Sequence, residues 1–245
     1  MRDPYAIYAR HILNLRPLDE IDGDPSIADR GTMIHEALER FVSDYPSQMP
    51  FDVSKVLRDI GIAAFGNALA YPSVWAFWWP RYERIIDWFA ANEVDYRKTV
   101  HATHTEVTGL LKIQSDYGQF TLVAKADRID ELKDGTISII DYKTGASPNA
   151  SDVLHGFSPQ LPLEVVIAEA GGFEKIMKAK VSILEVWRIG GGDPPGERHP
   201  VGTKIEDLAG ATLHGLTNLI KQFDNPKTPY LSQPDPTHAL GWSDY

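Results

Sequence analysis

The sequence predicts an α/β domain: a central mixed β-sheet flanked by helices on both sides, with a helical N-terminal region. Three observations predict it. Apolar residues recur at helical spacing through roughly the first hundred residues. Residues 99–143 alternate strand-like runs with turn chemistry, and a helix, a strand and a second helix follow.

The elements are read in order. Residues 4–15 form a short helix, and residues 16–25 an acidic loop carrying Asp19, Glu20, Asp22 and Asp24. A helix over 26–43 has the stripe Ile27, Ile34, Leu38, Phe41 and Val42. Residues 52–70 are helical, and Ser73 caps an aromatic-rich helix to residue 93 that Pro80 should kink or split. Strands are expected over 99–109, 110–115, 119–132 and 136–143, with turns at 116–118 and 133–135. A helix over 158–170 places Pro159 at its first position. A strand over 178–189, a loop over 190–200, a helix over 204–223 and a proline-rich tail complete the chain. It reads as one domain: a mainly helical part (1–98), a sheet core (99–190), and a C-terminal helix and tail (191–245).

The 245 residues are 43% hydrophobic and suffice for a sizeable core. No cysteine is present, so disulfides and Cys-ligated zinc or iron–sulfur clusters are excluded. No signal peptide and no apolar run of the ~20 residues that span a bilayer are seen, so the expectation is a cytoplasmic protein with no membrane partner. The net charge of −10 counts against nucleic acid as a partner. A catalytic groove nevertheless needs only a local positive patch.

The chemistry concentrates in one hairpin. Asp127 and Ile129 share a face of the strand over 119–132; Asp141 and Lys143, two apart, share a face of the next. If Lys133, Asp134 and Gly135 make a three-residue turn, Asp127 lies opposite Asp141 and Ile129 opposite Ile139. Opposed Cβ atoms lie about 4.5–5.5 Å apart, so the two carboxylates could grip one divalent cation. A two-residue turn would put them on opposite faces. Hard oxygen donors suit Mg²⁺ or Mn²⁺, such a cation activates water, and an ammonium can stabilise developing charge. The alternative is an exposed strand face on which Lys143 merely pairs an aspartate. The apolar run Ile137, Ile139 and Ile140 favours the functional reading, because it delivers Asp141 at the end of a buried strand.

Asp127 followed by Asp141-Tyr142-Lys143-Thr144-Gly145 resembles the PD-(D/E)XK nuclease motif in its RecB-like form. The run from Gly31 through His35 to Glu39 resembles the helix that precedes it, and Pro159-Gln160-Leu161-Pro162-Leu163-Glu164 the glutamine motif that follows. Asp3-Pro4-Tyr5 and the segment from Gly241 to Tyr245 resemble the flanks of the C-terminal nuclease domain of AddB, a component of the AddAB helicase–nuclease. The resemblance implies a restriction-endonuclease-like fold and a Mg²⁺- or Mn²⁺-dependent deoxyribonuclease. It implies an exonuclease fed by an AddA-like helicase–nuclease subunit in double-strand break repair and recombination, here as a piece of a longer chain. It also implies His35, Asp127, Asp141 and the Tyr142 carbonyl as metal ligands, Lys143 as catalytic, and Gln160 as placing DNA or water. Lys125, on the face of Asp127, is a further candidate for a DNA phosphate, with a plain surface lysine as the alternative.

From its spacing alone, His35 is either a ligand or a core-boundary histidine bonded to Glu39. Many such nucleases carry four cysteines around an iron–sulfur cluster. With none here, no cluster is expected, and the tryptophan helix (Trp75, Trp78, Trp88) is expected to tie the ends together. The rival readings are an inactive scaffold binding DNA or partner subunits, a Cas4-like nuclease, and a hydrolase of small phosphate esters. No Walker A loop, Ser-x-x-Lys or Gly-x-Ser-x-Gly is present. His101 and His104 read as structural; Glu106 could approach the metal from a neighbouring strand, with a solvated strand residue as the preferred reading.

Overall fold

The computed structural model describes residues 3–16, 24–202, 204–235 and 237. Asp19, Glu20 and Asp22 of the expected acidic loop, and the 241–245 segment, lie outside them.

Seven α-helices among the described residues are α1 (Pro4–Ile7), α2 (Ile27–Asp44), α3 (Val53–Phe65), α4 (Trp79–Tyr96), α5 (Ala150–Leu154), α6 (Gln160–Ala170) and α7 (Ile205–Asp224). Five strands, β1 (Val100–Ser115), β2 (Gly118–Leu132), β3 (Ile137–Lys143), β4 (Val181–Arg188) and β5 (Glu197–Pro200), make one sheet in sequence order. All neighbours are antiparallel except β3 and β4. The sheet is therefore mixed, as expected, and the parallel pair sits inside it where both faces are covered.

The helices divide between the two faces. On one, Phe41, Leu57, Tyr82 and Phe89 from α2, α3 and α4 pack against Ile140, Tyr142 and Trp187. On the other, Val165 and Ile167 of α6 and Leu208 of α7 pack against Ile129, Ile139 and Val186. β3 explains the division: its even residues face α2–α4 and its odd residues face α6–α7.

Several expectations are corrected. The strands predicted over 99–109 and 110–115 are one strand, because β2 pairs with β1 along nearly all its length. Gly109 does not break it; a Cβ there would lie 2.6 Å from the Phe173 ring, so the glycine admits a close neighbour. The 190–200 loop contains β5, which extends the sheet beside β4. Helix α5 was missed; Asn149 caps it by accepting the Asp152 N–H at 2.7 Å. Pro159 is the cap of α6 rather than its first residue. Ile27 of the predicted stripe is exposed. Pro80 splits its helix as predicted: a π-helical turn over Val74–Trp78 precedes α4.

Among the described residues the N-terminal segment meets the tail directly, not through the tryptophan helix. Tyr5 N–H donates to the Leu231 carbonyl at 3.2 Å, and the Tyr8 ring lies 5.5 Å from Tyr230.

A fully buried ion network braces the sheet beside the hairpin. Arg128 donates to Asp130 Oδ1 at 3.0 Å, to Glu93 Oε2 at 2.7 Å and to the Tyr142 hydroxyl at 3.1 Å. Its guanidinium lies over the Tyr96 ring. Burial pushes the Glu93 carboxyl up, but Arg128 and Arg97 more than offset that, so it sits below its ordinary range.

Candidate active site

The hairpin turn sets the site. Gly135 N–H donates to Leu132 O at 3.0 Å, and Leu132 N–H to Thr136 O at 2.8 Å. Asp134 accepts the Thr136 N–H at 2.9 Å, and Gly135 supplies a φ of +84°. Three residues thus make the turn, and the ladder runs Ile129 to Ile139 and Arg128 to Ile140. Asp127 and Asp141 occupy the next pair of positions on a shared face. There the ladder gives way to a side chain: Asp127 Oδ2 accepts the Tyr142 N–H at 2.9 Å.

Asp141 is 2% exposed. Its Oδ1 accepts from Lys143 Nζ at 2.7 Å and from Gln160 Nε2 at 2.9 Å. Its Oδ2 is buried and unpaired. Burial pushes the Asp141 carboxyl up; Lys143 pulls it back and Asp127 pushes it further up, with a net rise. Gln160 also donates to Glu164 Oε1, one helical turn on, at 3.2 Å. Burial lifts the Glu164 carboxyl to about 8, against the Gln160 hydrogen bond and with help from the charges of Asp141 and Asp127.

His35 arrives from α2, its Nδ1 3.7 Å from Asp127 Oδ2 and its ring edge-on to Tyr142. It turns toward Asp127 rather than Glu39. Gly31 makes the approach possible, since a Cβ there would meet Thr144 Oγ1 at 3.1 Å. Five of the candidate residues (His35, Asp127, Asp141, Lys143, Gln160) therefore come together from α2, β2, β3 and α6, with Tyr142 between them.

The donor set suits a hard divalent cation: two carboxylates, a neighbouring imidazole and a buried carboxylate oxygen with no protein partner. Among the described residues no three His, Asp or Glu side chains stand close enough together to hold a metal ion. The donors stand as two groups, His35 with Asp127 and Asp141 with Gln160 and Glu164, with Lys143 on Asp141.

Lys125 lies on the expected face but forms an ion pair with Glu106, which offsets its charge. Glu106 stands across from Asp127, flanked by the pairs Thr105–Arg128 and Val107–Ala126, and has a φ of +53°. A non-glycine residue in this region costs on the order of 1 kcal/mol and is characteristic of functional sites. Glu106 is part-exposed and held by its pairing with Lys125, across the ladder from Asp127. Glu39 beside it is pushed up by burial and by Glu106, with Lys125 opposing.

Sequence reasoning also missed Glu164 and the Glu93–Arg128–Asp130 network. The four-residue step from Gln160 was the available signal for Glu164. The network pairs residues 35 positions apart and left no local signal.

A cavity of about 540 Å³ opens on Asp141, Lys143 and Gln160 and is walled by Val153, Leu161 and Leu208. A smaller one of about 220 Å³ adjoins the other face of the same strand end and holds Arg30, Arg81, Arg188, Thr144 and Gly145.

The model of the PD-(D/E)XK nuclease superfamily matches residues 2–235. An uncharacterized protein of Rickettsia bellii is 31% identical over 173 residues, covering 71% of this chain and 21% of that protein. A component of the ATP-dependent helicase/deoxyribonuclease of Streptococcus pyogenes is 27% identical over 161 residues, covering 64% of this chain and 14% of that protein. The chain thus spans about a fifth or less of the length of these curated relatives. A solved structure of a protein named SSO0001 overlaps 86% of this chain and 84% of its own at 13% identity with a TM-score of 0.32, a likeness that carries no argument.

Proposed function

Because the chain belongs to the PD-(D/E)XK nuclease superfamily, we propose that it hydrolyses DNA phosphodiester bonds with a divalent cation, Mg²⁺ or Mn²⁺, at Asp127 and Asp141. The observation that carries this is Asp141: a buried carboxylate at the end of β3 that meets a lysine and a glutamine on one oxygen and nothing on the other. A charge so placed is costly unless it has a use.

Asp127, Asp141 and His35 would hold the cation. The Tyr142 carbonyl would join them, on the strand edge whose N–H Asp127 receives. When bound, the cation lowers the pKa of a coordinated water and offsets phosphate charge. Lys143 favours the ionised form of Asp141 against burial and, being one-third exposed, can reach a substrate oxygen or the attacking water. Gln160 spans Asp141 and Glu164, orienting the carboxylate that ligates. Glu164 holds its proton at neutral pH in the cation-free site. The apolar cavity beside Lys143 offers room for the sugar or base next to the scissile phosphate.

The 245 residues are read as one nuclease domain, and the likeness to the streptococcal protein supports a finer role. That role is exonucleolytic processing of double-strand breaks for recombination, alongside an AddA-like helicase–nuclease subunit. The rival is an inactive scaffold that binds DNA or partner subunits.

Cleavage of linear single- and double-stranded DNA with Mg²⁺ or Mn²⁺ tests the reading, comparing wild type with Asp141→Ala and Lys143→Ala. Metal-dependent cutting lost by at least about a hundredfold in both variants supports it. A chain that binds no metal and cuts nothing, alone or with a helicase partner, would leave the scaffold.

A further inference from the structure

The net charge of −10 poses a physical problem for a DNA-cutting chain, because phosphate binding needs a positive footprint. Lys125 does not supply one, since Glu106 neutralises it. The positive charge gathers elsewhere, beyond the C-terminal ends of the parallel strands β3 and β4, where open α/β sheets bind ligands. There Arg30, Arg81 and Arg188 line one pocket of about 220 Å³.

We propose that this arginine pocket binds a backbone phosphate of the DNA strand being cut, within a short run of nucleotides of the scissile one. The inference rests on the nuclease reading above.

Four observations carry it. First, Arg30 and Arg81 form no ion pair among the described residues; Arg188 alone is paired, to Glu197 at 2.8 Å. Asp193 also lines the pocket without bridging to them. Arg30 Nε is buried without a partner, and burial together with the charge of Arg81 pulls its pKa down. Two like charges held together without a counter-ion call for an anion. Second, the rest of the lining admits one. Gly145 and Gly192 have open space where a Cβ would stand, so an anion can approach the backbone there. The guanidinium fork matches phosphate oxygens, and the volume suits a phosphate group better than a nucleoside. Third, the pocket is wired to the site. Thr144 directly follows Lys143, whose carbonyl accepts the Ile189 N–H at 2.8 Å. Arg84 Nε holds the Gly191 carbonyl at 2.8 Å, pinning the far wall to α4. Fourth, α2 carries both Arg30 and His35. Five residues of helix advance about 7.5 Å along its axis, which keeps the pocket within a short run of nucleotides of the site.

The test measures binding of a fluorescent single-stranded oligonucleotide in EDTA, where hydrolysis does not run, across a salt series. Wild type is compared with Arg30→Ala, Arg81→Ala, Arg30→Lys and the double alanine variant, and inorganic phosphate is titrated separately. Each alanine is expected to weaken binding about tenfold and to reduce the salt slope by about 0.7, with Arg30→Lys restoring most of it. Arg81 is exposed, so its variant decides the matter if Arg30→Ala fails to fold. Unchanged affinity and slope in variants of a wild type that binds and cuts would overturn the pocket and leave the nuclease reading standing. Loss of inorganic phosphate binding with DNA affinity intact would overturn it in favour of a free anion. A wild type that neither binds nor cuts DNA, alone or with a helicase partner, sinks both.

Discussion

Asp127 accepts the backbone N–H of Tyr142 at 2.9 Å, taking the place of the main-chain bond that would continue the β2–β3 ladder. One carboxylate thus closes the end of the hairpin and faces the site. Two substitutions separate these roles. Asp127→Asn keeps an acceptor and should unfold within about 1 kcal/mol of wild type. Asp127→Ala strands a buried N–H and should cost about 1–3 kcal/mol. Both should abolish cleavage. Urea unfolding beside a nuclease assay checks the split, and equal stabilities would contradict it.

Glu164 sets a pH dependence on cation uptake. Its carboxyl is protonated below about 8 in the cation-free site, and a cation favours the ionised form. Mn²⁺ affinity measured by calorimetry should rise with pH and level off near 8. Glu164→Gln should flatten that rise. Gln160→Ala, which frees the Asp141 carboxylate to rotate, should weaken affinity by about tenfold or more.

The Glu93–Arg128 pair should dominate acid stability. Glu93 sits below its unfolded value near 4.5, so its contribution is complete above that pH and is lost as pH falls through the lower folded value. Glu93→Ala leaves Arg128 with Asp130 as its remaining carboxylate partner and takes the carboxylate from Arg97, a loss of up to about 3–5 kcal/mol. Thermal melts from pH 7 down to pH 3 should show wild type losing stability below about 4.5, with the variant unstable throughout.

The N-terminal segment should be stabilising through its contact with the C-terminal tail. Tyr8 packs against Tyr230 with the rings tilted, and Tyr230 packs on Phe223 of α7. Tyr8→Ala should cost about 1 kcal/mol, and removing residues 1–15 should cost more. A melting temperature unchanged by the truncation would show that the Tyr5–Leu231 and Tyr8–Tyr230 contacts contribute nothing.

The hairpin was legible from local chemistry. Asp134 and Gly135 favour a turn, the sequence left its length at two or three residues, and the three-residue turn found in the structure sets the register that brings Asp127 and Asp141 to one face. The helices flanking the sheet were legible from their apolar spacing. β5 and α5 were not, because both are short and owe their form to neighbours, β4 for one and the Asn149 cap for the other. His35 was ambiguous for the same reason: spacing puts it at the edge of a stripe, and only the packing of Gly31 against Thr144 turns it to Asp127.

The sequence by itself determined the α/β class, the paired aspartates with their lysine, and the absence of any cysteine-held cluster, since these depend on residue type and short spacings. Only the tertiary structure decided which charges are spent on one another. Lys125 is taken by Glu106 and Arg128 by Glu93 and Asp130, while Arg30 and Arg81 are left, among the described residues, with no ion-pair partner beside the site. Whether a charge is free depends on which distant elements meet it in space. No local pattern encodes that, because the partners lie up to 35 residues apart and only the packed fold brings them within reach.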